Sequence, residues 1–267
     1  MDRSHLKACK RIVVKVGTNT VMKSPSEIDY RKLDRLAYVL TELHHSGKEV
    51  ILVTSGAIGV GASFLGRDTY PDSIPEQQAL ASVGQTALMN LYSRFFGYYS
   101  QNVGQILITR DVTDQPLAVE NVRNNLFTLL DEGIIPVINE NDAVSVDELR
   151  FSNKFGDNDT LSAIVGEIME ADLLIILSDV EGLYTSNPVE DPNATLIPII
   201  QEINQGVYDM AHGKGSEFSS GGMTTKLKAA EIVMENDHMM VIMSGDEPSD
   251  IFDVLEGKNI GTLFANK

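Results

Sequence analysis

The sequence predicts an α/β fold, namely a three-layer αβα sandwich around an open, mainly parallel sheet. Two observations support this prediction. Strand-like and helix-like patterns alternate along almost all of the 267 residues, and this alternation is typical of the βαβ units that build parallel sheets. The strand-like segments are continuous apolar runs, such as DLLIILS at residues 172–178, which indicates strands covered by helices on both faces.

The first predicted strand contains a positive charge. The segment RIVVKV at residues 11–16 places apolar side chains on both faces of the zigzag, which indicates a covered strand, yet it includes Lys15. Burial of an unpaired ammonium group is strongly unfavourable. We therefore expect Lys15 to face a negatively charged group.

A helix and a second strand complete the first βαβ unit. Leucine and alanine residues recur at helical spacing over residues 33–43, with Ser26 as the candidate N-cap and Gly47 as the candidate end. The apolar segment EVILVT at residues 49–54 is predicted to be a strand parallel to the first, joined to it by a right-handed crossover.

The same alternation continues to the end of the sequence. No repeat or clear linker interrupts it, so we expect one domain over residues 1–267, with an N-terminal lobe of about residues 1–170 and a C-terminal lobe of about residues 171–267. The other predicted elements are helices at about residues 75–99, 117–132, 159–170 and 224–236, strands at residues 103–109, 134–139, 172–178 and 238–244, and a short closing helix and strand.

The charge of the chain excludes one class of partner. The formal net charge is −17, from 38 acidic and 21 basic residues, whereas binding to nucleic-acid backbones relies on clustered lysines and arginines. We expect no nucleic-acid partner. An anionic substrate must therefore be held by a few local cations or backbone amides.

Composition also bounds the class and compartment of the protein. Hydrophobic residues make up 43% of the chain, which excludes a disordered or fibrous protein. Cys9 is the only cysteine, so an intrachain disulfide is impossible. The polar start lacks the apolar core of a signal peptide, and no apolar run approaches the ~20 residues that span a bilayer. We expect a cytoplasmic protein with no membrane partner.

Polar and glycine-rich segments follow the predicted strands, on the edge of the sheet where ligands bind in open α/β folds. The segment TSGAIGVG at residues 54–61 suits an anion at a helix N-terminus, although a tight strand-to-helix turn uses the same residues for packing. Its glycine spacing does not match the dinucleotide-binding fingerprint, and the sequence contains no Walker A motif.

Two acidic segments lie in this same set of loops. NEND at residues 139–142 and GDND at residues 156–159 contain more acids than helix capping requires, although capping explains part of the second segment. Such a cluster suits a cation, an ammonium group or the orientation of lysines. The five histidines and Cys9 form no metal-ligand pattern, so a structural zinc site is not expected.

A second lysine of interest lies near the end of the chain. Lys226 falls in the first turn of a predicted helix that follows two glycines, with Thr224 or Thr225 as a candidate cap. Cations are mildly unfavourable at that end of a helix, and a surface lysine is the usual explanation, but the preceding glycines and threonines favour a nearby phosphate for Lys226. Lys15 and Lys226 are therefore predicted to face one anion.

Seven motifs together resemble the amino-acid kinase family. VVKVGTN, VTSGAIGVG, INENDAV, GDNDTLSA, SDVEGLYTSNP, SGGMTTKL and GTLF occur in the order of that family and extend from about residue 11 to residue 264. INEND together with GDND indicates the branch that acts on glutamate. The resemblance implies an amino-acid kinase-like fold and ATP-dependent phosphorylation of the γ-carboxylate of L-glutamate, which is the first step of proline biosynthesis.

The resemblance also implies roles for individual residues. Lys15 and Lys226 would be catalytic, stabilising the transferred phosphoryl group, and Asp159 would hold and orient both lysines. Glutamate would contact Ser55, Asp142 and Asn158. ATP, with Mg²⁺ carried by ATP rather than bound directly by the protein, would contact Lys15, Gly17, Gly56, Ser178, Asp179, Ser220, Gly221, Gly222, Met223, Thr224, Thr225 and Lys226.

Further expectations follow from the family. Proline is expected as a feedback inhibitor, and a homo-oligomer is expected. Many members carry an additional C-terminal PUA domain, whereas this sequence stops just after GTLF, so no PUA domain is expected here. Two alternatives stay open: a kinase of the same fold that acts on aspartate, N-acetylglutamate, carbamate or UMP, and an amino-acid sensor without turnover.

Overall fold

The computed structural model describes residues 3–109, 112, 115–144, 158–212 and 222–266. Helices lie on both faces of one large sheet, so the predicted three-layer α/β architecture is confirmed. Within the described ranges, no helix is long and apolar enough to cross a membrane.

The main sheet has eight strands and is mostly parallel. The described strands are β1 (Arg11–Val16), β2 (Met22–Ser24), β3 (Glu27–Ile28), β4 (Glu49–Val53), β5 (Val103–Ile108), β6 (Ile135–Glu140), β7 (Leu173–Ser178), β8 (Ile199–Ile200), β9 (Met239–Ser244) and β10 (Thr262–Phe264). The order in the main sheet is β5-β6-β4-β1-β7-β9-β10-β8, with only β10 against β9 antiparallel among these described strands. β2 and β3 form a separate two-stranded hairpin.

The predicted helices occur in the predicted order, with ends shifted by no more than about one turn, whereas the helices at residues 18–21 and 205–212 were not predicted. A short 3₁₀ helix (Ser4–Ala8) precedes β1. The α-helices are α1 (Thr18–Val21), α2 (Tyr30–His45), α3 (Ala57–Phe64), α4 (Ile74–Tyr98), α5 (Pro116–Asp131), α6 (Asn158–Ile168), α7 (Gln205–His212), α8 (Met223–Glu235) and α9 (Asp250–Leu255).

The predicted start of α2 is wrong, whereas its predicted end is confirmed. Asp29, not Ser26, is the N-cap, and its side chain accepts a hydrogen bond from Lys32 N at 3.0 Å. The hairpin of β2 and β3 occupies the residues before it, so the helix begins later. Gly47 has a φ of +90°, a left-handed conformation that glycine adopts without strain at a helix end.

The sheet separates two apolar clusters, and β1 contributes to both. Ile12, Val14 and Val16 belong to one cluster, and Val13 belongs to the other, together with residues of α6 and α8. Successive side chains of a strand point to opposite faces, so Lys15 lies on the face of Val13. The covered strand thus directs its lysine toward α6 and α8.

The order in which successive strands are added to the sheet reverses direction next to β1. β1 pairs with β4 on one side and with β7 on the other, and Lys15 is in register with Val53 and Ile176. Strands β4 to β6 extend to one side before the chain returns to β7. Ligands of open α/β sheets bind at such a switch point, so the carboxyl end of β1 is the candidate site.

Candidate active site

Three buried charged side chains meet beyond the carboxyl end of β1. Lys15 Nζ lies 2.6 Å from Asp159 Oδ1, and Lys226 Nζ lies 3.1 Å from Asp159 Oδ2. Asp159 is 0% exposed and each lysine is 6% exposed. Within the part of the chain that the structure describes, Asp159 is the ion-pair partner of both lysines and neither has a second acid. Two ammonium groups thus share one carboxylate, and the group of three is positively charged.

Three separate elements position these side chains. Lys15 projects from β1, Asp159 lies in the first turn of α6, and Lys226 lies in the first turn of α8. A carboxylate is favoured at a helix N-terminus, whereas an ammonium group is not. Asp159 therefore compensates for the unfavourable position of Lys226 as well as for the burial of Lys15.

Opposing effects act on the pKa of Asp159. Burial of the carboxyl group raises the pKa, but the positive charges of Lys15 and Lys226 and their hydrogen bonds lower it more, so the net pKa lies below its ordinary value. The carboxylate is consequently ionised at neutral pH, as its pairing with two ammonium groups requires.

Thr225 adds a hydroxyl group to this cluster rather than a helix cap. The N-cap of α8 is Gly222, so the expectation that Thr224 or Thr225 caps the helix is wrong. The Thr225 hydroxyl lies 3.0 Å from Asp159 Oδ2 and 2.8 Å from the carbonyl oxygen of Gly222, and it can donate its single proton to either. The helix begins earlier than expected because the extended backbone of Gly222 leads directly into Met223.

A chain of polar side chains lies beside the ion pairs. Asn158 Nδ2 donates to Ser55 Oγ at 2.6 Å and to Asn139 Oδ1 at 3.4 Å. Asn139 Nδ2 donates in turn to Gln85 Oε1 at 2.9 Å. These contacts join the end of β4, the start of α6, the end of β6 and the middle of α4. Sequence analysis indicated Ser55 and Asn158 but assigned no role to Asn139 or Gln85.

Gly56 forms the turn between β4 and α3. Its φ of +97° is left-handed, which favours glycine, and it is the N-cap of α3. The first backbone N–H groups of a helix lack intrahelical partners, so this end of α3 suits an anion next to Ser55. Gly17, by contrast, has an extended backbone and precedes the four-residue α1.

The end of β7 carries two further predicted site residues. Ser178 Oγ donates to Asp179 Oδ1 at 3.1 Å, and Asn19 Nδ2 lies 3.4 Å from Asp179 Oδ2. Because β7 neighbours β1, both residues lie at the same edge of the sheet as Lys15. The predicted residues Ser220 and Gly221 lie outside the described residues, as do residues 145–157.

A cavity of about 210 Å³ opens between α4, β5 and the end of β6. Its lining includes two carboxylates, Glu140 and Asp142, together with Gln85 and Gln105. The buried strand β6 ends in Glu140, so both acids lie at the carboxyl edge of the sheet. This position suits an ammonium group. Within the described residues, no group of three or more His, Cys, Asp or Glu side chains is arranged to hold a metal ion.

Asn139 carried a detectable signal in the sequence, whereas Gln85 did not. Asn139 directly follows the apolar run IIPVI, much as Lys15 interrupts the apolar run of β1, and it is 1% exposed. Gln85 lies on a long helix, where polar residues usually face solvent, so its contact with Asn139 becomes visible only in the folded chain.

Comparisons with known proteins agree with this geometry. The model of the amino acid kinase family matches residues 10–244, a range that includes every charged residue of the ion-pair cluster. Glutamate 5-kinase of Listeria monocytogenes is 54% identical over 265 residues, which cover 99% of this chain and 96% of that protein. Glutamate 5-kinase of Lactococcus lactis is 51% identical over 267 residues, which cover 100% of this chain and 99% of that protein.

A solved structure shares the fold at low sequence identity. Carbamate kinase from Giardia lamblia has a TM-score of 0.67 with 15% identity, covering 98% of this chain and 100% of that one. This likeness concerns the fold alone. The family match and the two relatives go further, because they extend over most or all of the sequence: the chain belongs to the amino acid kinase family, in the group of proteins named glutamate 5-kinase.

Proposed function

We propose that this chain transfers the γ-phosphoryl group of ATP to the γ-carboxylate of L-glutamate, giving L-glutamyl 5-phosphate in the first step of proline biosynthesis. The observation that carries the proposal is the buried pair of lysines on one carboxylate, at 2.6 and 3.1 Å. The relatives named glutamate 5-kinase, at 54% and 51% identity, support the choice of acceptor.

The side chains of the site suit an acceptor that is already an anion. A carboxylate is ionised at pH 7, so its oxygen attacks the phosphorus atom without a general base. Catalysis then requires alignment of two anions and neutralisation of the charge on the transferred group. Lys15 and Lys226 would supply that positive charge, and Asp159 would hold them in place between turnovers.

Magnesium fits this site as an ion carried by ATP. Mg²⁺ characteristically binds through substrate phosphates and water with few protein ligands. When bound, the ion would offset phosphate charge. The direct contacts to the phosphates would come from Lys15, Lys226 and the backbone amides near Gly17 and Gly56.

Glutamate would bind on the β4 and β6 side of β1, in the N-terminal lobe of about residues 1–170. The hydrogen bond between Asn158 and Ser55 supports a γ-carboxylate site near the start of α3, where helix N–H groups face an anion. Asp142 lines the acidic cavity and would contact the α-ammonium group. The separation between these two sites would then favour acceptors whose carboxylate and ammonium groups are as far apart as those of glutamate.

ATP would bind on the β7 side, in the C-terminal lobe of about residues 171–267. Ser178 and Asp179 end β7 next to β1, which supports a nucleotide contact at this edge. The other contacts would come from the segment that leads into α8, namely Ser220, Gly221, Gly222, Met223, Thr224 and Thr225.

The remaining parts of the proposal concern regulation, assembly and compartment. Proline would act as a feedback inhibitor, and the chain would form homo-oligomers, as the family resemblance implies. A cytoplasmic location suits the single thiol: Cys9 is buried, and desolvation by burial, with the charge of Asp172, raises its pKa to about 11. Such a thiol is protonated and unreactive at neutral pH.

Release of ADP from MgATP tests the proposed acceptor. Glutamate, aspartate, N-acetylglutamate, carbamate and UMP are offered separately, each with and without proline. We expect turnover with glutamate, and we expect proline to reduce it. Turnover with another acceptor and none with glutamate would overturn the proposal, and glutamate binding without ADP release would identify a sensor instead.

A further inference from the structure

The amides of Gln85, Asn139 and Asn158 form a hydrogen-bonded chain that ends on Ser55. The donor-to-acceptor distances are 2.9 Å from Asn139 to Gln85, 3.4 Å from Asn158 to Asn139 and 2.6 Å from Asn158 to Ser55. Asn139 is 1% exposed and Asn158 is 5% exposed. Gln85 and Ser55, at the two ends, are half-buried, so the contact between the two asparagines is the one best protected from competition by water.

The direction of the chain depends on the acceptor atom of Gln85. Asn139 donates its Nδ2 protons toward Gln85 Oε1, which leaves its Oδ1 toward Asn158 Nδ2. If the Asn139 amide were rotated while Gln85 and Asn158 kept their orientations, its Nδ2 group would face the Nδ2 group of Asn158 and its Oδ1 would face Gln85 Oε1. Gln85 Oε1, together with Asn158 Nδ2, therefore favours the rotamer in which Asn139 accepts from Asn158.

The direction of these hydrogen bonds also determines whether the Ser55 hydroxyl group can donate its proton to a ligand. Ser55 Oγ accepts from Asn158 Nδ2, so the hydroxyl proton of Ser55 is not needed for that bond. A hydroxyl group that accepts one hydrogen bond can still donate its own proton. That proton is then available to a carboxylate oxygen, which accepts hydrogen bonds only.

Two buried atoms of the chain, one at its Gln85 end and one in its middle, support a functional origin. Gln85 Nε2 and Asn158 Oδ1 are buried without a hydrogen-bond partner among the described residues. An unpaired buried polar atom destabilises the fold, and a chain selected for stability alone would pair it or replace it with an apolar group.

We propose that Gln85 is a positioning residue for the acceptor: through Asn139 and Asn158 it directs the Ser55 hydroxyl proton toward the γ-carboxylate. This inference rests on the proposed function, because it assumes that the carboxylate binds beside Ser55. Gln85 does not touch the reacting atoms in this scheme. It changes the affinity for glutamate and leaves the ATP side, at β7 and α8, unaffected.

Substitution of Gln85 by methionine tests the inference in the full-length protein. Methionine keeps the length of the side chain but has no oxygen acceptor for Asn139. We expect the KM for glutamate to rise about tenfold, which corresponds to loss of about one hydrogen bond, with the KM for ATP and kcat changed by less than about twofold.

Gln77→Met on the same helix is the matched control. Gln77, like Gln85, makes one amide hydrogen bond, although Gln77 Nε2 donates, at 2.7 Å to the carbonyl oxygen of Pro71, and Gln77 does not line the cavity or contact Asn139. We expect its glutamate KM to equal that of the unmodified protein. If Q85M and Q77M shift Tm equally and neither changes the glutamate KM, Gln85 is a structural residue and the inference is overturned.

A double-mutant cycle tests whether Gln85 acts through Asn139. We expect the glutamate KM of Q85M/N139A to equal that of N139A alone, because residues in one hydrogen-bonded chain are not additive. Multiplication of the two single effects would overturn the inference, since Gln85 would then act independently. If N139A does not fold, Asn139→Ser replaces it in the cycle.

The proposed function and this inference fail in different ways. If the unmodified protein releases no ADP with glutamate, the proposed function fails before any variant is compared. If the unmodified protein is active with glutamate and Q85M has the same KM, only the role of Gln85 is wrong.

Discussion

Asp159 holds two ammonium groups with one carboxylate, and the stability of the site depends on that residue. The carboxylate is fully buried, as are most atoms of Lys15 and Lys226. Removal of one partner from a buried ion pair is far more unfavourable than removal of a surface pair, because it leaves an uncompensated charge in a poorly solvated place.

Asp159→Asn should therefore destabilise the fold. The substitution leaves both lysines buried without an anion, and we expect the free energy of unfolding to fall by about 3–5 kcal/mol at pH 7. Urea unfolding measures this change. Lys7→Met is the control, since Lys7 pairs with Glu256 at the surface, and a loss in D159N no larger than in K7M would contradict the assignment.

The lowered pKa of Asp159 gives this contribution a defined pH dependence. The folded pKa lies below the ordinary value of about 3.9, so the stabilisation is fully present above that pH and is lost as the pH falls through the folded pKa. The difference in unfolding free energy between the unmodified protein and D159N should be constant from pH 7 to 5 and shrink below about pH 4. A constant difference down to pH 3 would contradict this linkage.

Lys15 carries the most direct catalytic prediction. We expect Lys15→Ala to lower kcat by about 100- to 1,000-fold, as when one electrostatic stabiliser of a transition state is lost, with a much smaller change in the glutamate KM. We expect the variant to fold, because Lys226 still pairs with Asp159, and circular dichroism checks this.

Lys23→Ala removes an exposed lysine that pairs with Glu27 and serves as the control for Lys15→Ala. Its kcat should be unchanged. Unchanged turnover in K15A would make Lys15 a structural residue.

The sequence alone identified single residues whose chemistry conflicts with their surroundings. Lys15 was detectable as a cation in an apolar strand, and Lys226 as a cation at a helix start. Their shared partner was inferred only through the family resemblance, since no local pattern shows which loops meet. Gln85 escaped detection because a glutamine on a long helix conflicts with nothing nearby.

At the level of elements, α3 and α4 pack closely enough that glycine is required. A Cβ atom added at Gly84 would lie 1.7 Å from the carbonyl oxygen of Ala57, and one added at Gly61 would lie 2.1 Å from that of Leu80. Both distances are far shorter than any van der Waals contact. Because α3 begins beside Ser55 and α4 carries Gln85, this packing fixes the distance between two parts of the site.

Gly84→Ala should separate the two helices. Overpacking of this kind typically destabilises by about 1–3 kcal/mol, and here the atom in the way is backbone, which cannot move alone. We expect a lower Tm and a raised KM for glutamate, measured by calorimetry and by ADP release.

Gly97→Ala on the same helix is the matched control for Gly84→Ala. No atom lies within 4 Å of the added Cβ, so the protein should be unchanged or more stable by about 0.5–1 kcal/mol. Equal stability of G84A and G97A would contradict the close packing.

Periodicity predicted the longer elements and failed for the shortest ones. The helices with several turns and the buried strands have strong patterns, and they occur where expected. The hairpin of β2 and β3 and the two-residue β8 have too few residues to show a period, and the eight-residue α7 was not predicted. The order of strands in the sheet depends on long-range pairing, which local patterns do not contain.

At the scale of the whole molecule, a strongly acidic chain encloses a positively charged site. The formal charge is −17, yet two lysines on one carboxylate lie at the switch point of the sheet. Screening limits the reach of surface charge to about 8–10 Å at physiological salt. Local cations can therefore hold phosphates, while the net charge of the surface keeps the chain soluble.

The most direct test is the identity of the product. An acyl phosphate formed on the γ-carboxylate reacts with hydroxylamine, so the unmodified protein with MgATP, glutamate and hydroxylamine should yield γ-glutamyl hydroxamate in proportion to the ADP released. K15A should yield almost none. ADP release from the unmodified protein without γ-glutamyl hydroxamate, or hydroxamate formation from another carboxylate but not from glutamate, would contradict phosphoryl transfer to glutamate.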